Sequence, residues 1–200
     1  MAKQDKGPAT RVLSETIEEA VAGRRVKTAV FLTYQFDPAF FETQVLRLMF
    51  NRGFSEKDNV RLVQLDEELR RVEHMAVFYD RRGLVTEGGS ARLDYQRIGV
   101  GRDWAVFHPK NVLLLLERED DENVTEILII VTTSANLTQS GWWENVEVAH
   151  VLEIDDGDIA AVRQDLLGQN GLLNLLKKED PTDASHPALE TIRQFLVRKT

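Results

Sequence analysis

Phe107-His108-Pro109-Lys110-Asn111-Val112-Leu113-Leu114-Leu115-Leu116 and Ile127-Leu128-Ile129-Ile130-Val131-Thr132-Thr133-Ser134-Ala135-Asn136-Leu137-Thr138 share one design, a continuous apolar run joined to a short polar cluster. The runs Val112 to Leu116 and Ile127 to Thr132 read as apolar strands lying next to each other. Between them Glu117-Arg118-Glu119-Asp120-Asp121-Glu122-Asn123 reads as a solvated, hairpin-like turn. The hairpin sets His108-Pro109-Lys110 beside Ser134-Ala135-Asn136-Leu137-Thr138. Pro109 biases His108 toward extended backbone, where residues two apart share a face, so imidazole and ammonium project together. That is a nucleophile beside an anion clamp. Gly141, Asn145 and Glu147 follow on the approach to a third predicted strand, Val146 to Leu152.

Outward from this centre, helices and strands alternate. Leu13, Ile17, Ala20 and Val21 mark a helix ending near Gly23, and Val26 to Tyr34 reads as a buried strand. Asp37-Pro38 opens a helix through Phe50, and Asn59 to Leu65 is expected to be a strand. From Asp66 to Asp103 the pattern is weak: a charged helical piece, turns at Gly83, Gly88 and Gly89, and a short strand near Ile98 to Val100. Helices are expected from about Ile159 to Leu167, from Leu172 to Lys178 and from Pro187 to about Val197. The domain plan is a disordered tail over 1–10, a catalytic domain over 11–180, and a linker with a C-terminal helix over 181–200. The pattern is α/β, a layered domain with a mixed sheet flanked by helices.

Composition narrows the chemistry. The 200 residues are 42% apolar and 29% charged, ordinary for a globular protein. Without cysteine there is no disulfide or thiolate metal site, and His74, His108, His150 and His186 show no close metal-ligand spacing. No metal and no cofactor is implied. No apolar run spans a bilayer and Met1 to Lys6 carry no signal core, so the expected location is cytoplasmic, without membrane insertion. The net charge of −8 is unevenly spread: Arg70 to Lys110 holds eight basic and five acidic residues, a local +3 against −11 elsewhere. That stretch either lines an electropositive cleft or consists of solvated loop charges.

H-x-K at His108 to Lys110, S-x-N-x-T at Ser134 to Thr138, Gly141, and N-x-E at Asn145 to Glu147 together resemble the phospholipase D superfamily, in particular its nuclease and phosphodiesterase branches. The likeness is densest from Phe107 to Glu153, with a looser match at Val26 to Tyr34. The usual form carries Asp five residues after the Lys; here that position is Leu115, a loss shared with the tyrosyl-DNA phosphodiesterase branch. The resemblance implies that His108 attacks phosphorus to give a phosphohistidine, that Lys110 and Asn136 hold the non-bridging oxygens, and that Ser134 adds a hydroxyl donor, with Thr138 beside them in the substrate-binding set. Water or another alcohol resolves the intermediate.

Competing readings stand beside these assignments. His108 could be a strand-end histidine bonded to backbone, and Asn136 a helix cap. Alternation over Val146 to Leu152 puts Glu147 with Ala149 and Val151, and His150 on the opposite face. Both faces are mainly apolar, so Glu147 is expected inward, orienting His108, with a plain surface Glu on an edge strand as the alternative, and His150 packed in the core. Trp142-Trp143 offers an indole for stacking on a base, assigned here to Trp142, or core packing for both. The acidic run Glu153, Asp155, Asp156 and Asp158 favours a helix start over a metal.

The resemblance also implies a second H-x-K set, since one histidine attacks while another protonates the leaving group. None occurs elsewhere in the sequence, so each chain carries one half-site. The partner is then a second copy in a homodimer, or a second half in a longer chain. The leading function is a metal-independent phosphodiesterase on nucleic acid, with DNA as the expected partner. The alternatives are a phospholipid phosphodiesterase or transphosphatidylase, or a degenerate binding or dimerisation module.

Overall fold

The computed structural model describes residues 12–85, 93–101, 103–120, 123–155 and 160–198. Its elements in chain order are α1 (Val12–Val21), β1 (Arg25–Thr33), α2 (Pro38–Phe40), α3 (Leu46–Phe50), α4 (Asp58–Leu69), β2 (His74–Asp80), β3 (Gln96–Val100), β4 (Asn111–Asp120), β5 (Asn123–Thr133), β6 (Ala149–Ile154), α5 (Ala160–Leu167), α6 (Leu172–Glu179) and α7 (His186–Arg198). The strands form one mixed sheet in the order β3-β2-β1-β4-β5-β6, parallel from β1 to β3 and antiparallel from β1 through β4 and β5 to β6.

Alternation along the central strands sends side chains into two cores. Ala29, Phe31, Val112, Leu114, Ile129 and Val131 pack under α1 and the helices between β1 and β2. Val30, Leu32, Leu113, Leu115 and Leu128 pack under α5, α6 and α7. The protein is therefore an α/β/α sandwich, and α7 belongs to its second core through Leu189, Ile192, Phe195 and Leu196, each with no exposed surface. Among the described residues no helix is long and apolar enough to cross a membrane.

Several expectations are corrected. Asn59 to Leu65 lies in helix α4 and is not a strand: Leu62, Leu65 and Leu69 face the core while Val60 and Val63 point to solvent. The weak stretch conceals a central parallel strand, β2, whose Met75 to Phe78 are all buried. The expected acidic turn is shorter than its composition implies, because β4 and β5 pair as far as Asp120 and Asn123. The third strand starts at Ala149, not Val146. It is the edge of the sheet, so Val146, Val148 and His150 are exposed, and the expectation of a core-packed His150 fails.

The topology creates a single functional edge. β1, β2 and β3 end where β4 begins, β5 ends and β6 begins. The chain leaves β1 toward β2 and β3, then returns to β4 on β1's other side, so its connections reverse between β1 and β4. In open α/β sheets that reversal opens a crevice beyond the strand ends.

Candidate active site

Both sides of the crevice contribute. Tyr34 and Gln35 follow β1, His108 to Lys110 precede β4, Ser134 to Asn136 follow β5, and Glu147 precedes β6. His108 is exposed and its ring lies against that of Tyr34, centroids 5.1 Å apart at 36°. Lys110 Nζ stands 3.0 Å from Nδ1 and 3.2 Å from Nε2 of His108. An ammonium only donates, so the imidazole nitrogen that meets it presents a lone pair. Burial pushes the Lys110 ammonium below the ordinary lysine range, opposed by the nearby Glu147 charge. Its charge is the group that an incoming phosphate would relieve.

Ser134 Oγ donates to Glu147 and accepts from Val148 N at 2.9 Å, tying the β5 end to the β6 approach. Asn136 locks onto Gln35 by two bonds, Gln35 N donating to Oδ1 and Asn136 Nδ2 donating to Gln35 Oε1, each 3.2 Å. Buried Thr33 holds the same junction, its Oγ1 donating to Gln35 O and accepting from Leu137 N. Gly141 has a local reason in this turn: a Cβ there would collide with the backbone of Asn136. Gly83 has a similar one, because a Cβ there would collide with Tyr34 O.

His108, Lys110, Ser134, Asn136 and Glu147 thus share one edge. Glu147 does not orient His108 as expected: its carboxylate accepts from Ser134, and its field acts on Lys110. The reason is that residues 146–148 precede the edge strand and run half-exposed, so the carboxylate is not driven inward. Trp142 is 2% exposed and packs on Phe40, leaving no face for a base. Thr138 is buried, with Oγ1 accepting from Gly141 N at 3.2 Å, which holds the turn. Leu115 sits five residues up β4, roughly 16 Å from Lys110 at about 3.3 Å per residue, wholly buried in the second core. The hydrophobic residue there takes no group from the crevice.

Only part of the electropositive stretch reaches the site: Arg81 and Arg82 follow β2 at this edge, and Lys110 lies in it. Arg70 and Arg71 pair with Asp66 and Glu68 beyond the opposite edge, and the Arg97 guanidinium lies over the Tyr95 ring at 5.4 Å. Arg92 and Arg102 lie outside the described residues. Sequence reasoning missed Tyr34 and Gln35; the signal available was two polar-tipped residues directly after a buried strand. Among the described residues no three His, Asp or Glu side chains come close enough to hold a metal ion.

No family model matches the sequence, and no curated protein does. Solved structures with a related arrangement include a variant of yeast tyrosyl-DNA phosphodiesterase, at 13% identity and a TM-score of 0.46, covering 76% of this chain and 31% of that one. Another is NucT from Helicobacter pylori, at 13% identity and a TM-score of 0.38, covering 71% of this chain and 76% of that one. The chain therefore spans about a third of the yeast enzyme's length.

Proposed function

We propose that the chain is one half-site of a metal-independent phosphodiesterase of the phospholipase D type that acts on nucleic acid through a phosphohistidine. The observation that carries this is the exposed His108 ring with Lys110 Nζ 3.0 Å away, in a crevice that also holds Ser134, Asn136 and Glu147. The imidazole lone pair, released as the Lys110 ammonium turns to the phosphate oxygens, attacks phosphorus, and the leaving oxygen departs with a proton. Lys110 and Asn136 draw off charge from the non-bridging oxygens, and water then cleaves the P–N bond. An ammonium beside the imidazole makes that position hostile to a metal cation, which favours chemistry carried by the protein's own charge. Glu147 opposes the burial that lowers Lys110 and holds the Ser134 hydroxyl at the rim.

The proton for the leaving group comes from a second copy of the motif, in a homodimer or in a second half of a longer chain. His74 starts β2 at the end of the strands opposite His108, His186 opens α7 with its ring held by Asp183 and Lys177 O, and His150 lies on edge strand β6, two strands across the sheet from Asn111, so none of the three adjoins His108 to act as the acid. The test is hydrolysis of bis(p-nitrophenyl) phosphate in EDTA, then of single-stranded DNA against phospholipid vesicles, with light scattering on the same sample. Hydrolysis of the dye ester and DNA by a dimeric species is the expected result. Cleavage of lipid alone would move the assignment to phospholipid, and no cleavage at all would leave a binding or dimerisation module.

A further inference from the structure

Directly behind the His108 segment lies a buried carboxylate that the proposed chemistry does not use. Asp80 ends β2 and is 1% exposed. Its Oδ1 accepts from Arg82 N and Arg82 Nε, both at 2.9 Å, and its Oδ2 accepts from Arg82 Nη2 and from Phe107 N, also at 2.9 Å. Arg82 Nη2 reaches on to Ala105 O at 2.7 Å. One carboxylate and one guanidinium therefore grip the backbone at Ala105 and Phe107, and Phe107 is the residue before His108.

The segment needs such a grip. Residues 106–110 carry no regular secondary structure, so ladder hydrogen bonds do not fix where the imidazole stands. A buried carboxylate left short of donors costs several kcal/mol, and this one is satisfied only when Phe107 N and the Arg82 fork are both in place. The Arg82 side chain, its Asp80 bonds and the Phe107 amide hold the carboxyl far below the usual carboxylate range, as four donors to an ionised group require. Tyr34, against which the His108 ring rests, is held to the same turn through Gly83: Phe36 N donates to Gly83 O at 2.9 Å, and Gly83 abuts Tyr34 O.

We infer that Asp80, acting through Arg82 and the Phe107 amide, is the positioning residue that sets the attack geometry of His108. The inference rests on the phosphodiesterase reading above, and names a residue for that reaction which touches no substrate. A displacement of about 1 Å at a reacting group is enough to cost about 100-fold in turnover. Loss of the clamp should therefore fall on kcat and spare KM.

The experiment compares two buried carboxylates, each bonded to an arginine and set at opposite edges of the sheet: Asp80→Asn, and Glu117→Gln, whose carboxylate pairs with Arg25 and Lys27. Each variant is assayed on bis(p-nitrophenyl) phosphate, unfolded thermally, and examined by NMR at the His108 ring. Asp80→Asn should lower kcat by about 100-fold with KM within about twofold, and should shift the His108 ring signals. Glu117→Gln should lower the unfolding temperature and leave kcat and those signals in place. Should Asp80→Asn fail to fold, Arg82→Ala removes the exposed half of the clamp; it should show the same kcat loss, partly restored by added guanidinium at non-denaturing concentration. Wild-type kcat with unmoved His108 signals in the folded variant, Asp80→Asn or Arg82→Ala, overturns the inference. If the wild-type chain cleaves no phosphodiester, the function reading falls, and the His108 signals alone decide whether the clamp positions the ring.

Discussion

Two partly buried lysines, at opposite edges of the same sheet, are treated in opposite ways. Lys27 sits where the register of β1 against β4 shifts, and its ammonium is ringed by Glu117 and Glu126 at 2.8 Å and Glu73 at 3.6 Å. Burial alone would push it down, yet the bonds and charges of Glu117 and Glu126 lift it above the ordinary lysine range. Lys110 meets the His108 ring and a carboxylate already engaged by Ser134, and burial wins, pushing it down. The first charge is neutralised within the fold and braces the sheet. The second is left unneutralised in an open crevice, the condition for holding a substrate anion. Stability and function are separated along the length of β4.

The largest effect is expected from removing the ring beside Lys110. His108→Ala should abolish hydrolysis, by about 10⁴-fold or more, because a missing nucleophile removes the covalent path. The fold should be unchanged, since His108 is exposed; initial rates with circular dichroism check both. Residual turnover near wild type would place the chemistry elsewhere.

Next comes the paired exchange of the two lysines for methionine. Lys110→Met should cost about 10²- to 10³-fold in kcat, the range for deleting one preorganised donor, with equal or greater stability because a desolvated charge has gone. Lys27→Met should leave kcat alone and cost about 2 kcal/mol, a value reduced for partial exposure from that of a fully buried broken pair. Denaturant melts and dye-ester kinetics on both variants read the contrast. Equal losses of stability would erase it.

The pH dependence sharpens the same point. Lys27 is held protonated more tightly in the folded chain than in the unfolded one, so its stabilisation is complete through neutral pH and is lost only above the ordinary lysine range. For Lys110 the shift is downward, so activity that needs its charge should decline on an alkaline limb lying below that range. A pH–rate profile that stays flat into strongly alkaline solution would contradict the role given to Lys110. The smallest effect is expected from Glu147→Gln: it removes the field that raises Lys110, moves the alkaline limb to lower pH, and changes kcat at neutral pH only about fewfold by analogy with a single exposed charge pair.

How much of this was legible in sequence depended on whether the determining contacts were local. The runs around Leu114 and Ile129 announced the central strands because residues buried on both faces must all be apolar. β2 is hidden because its four buried apolar residues, Met75 to Phe78, are bracketed by Arg71, Glu73, Arg81 and Arg82. α4 was misread because Val60 and Val63 carry strand propensity yet point to solvent. Within the site, His108, Lys110, Ser134 and Asn136 were legible because one hairpin joins them. The burial of Trp142 against Phe40, the Gln35 lock on Asn136 and the Asp80 grip on Phe107 are contacts between distant segments, which no spacing reveals.

The proposed chemistry requires that His108 become covalently phosphorylated during turnover. The most direct measurement is to quench a phosphodiester turnover with alkali, which preserves P–N bonds, and to map the adduct by mass spectrometry. A phosphoryl group, still esterified on its retained side, is expected on the peptide containing His108 in the wild type and none in His108→Ala. Sustained turnover with no adduct on that peptide would contradict that chemistry.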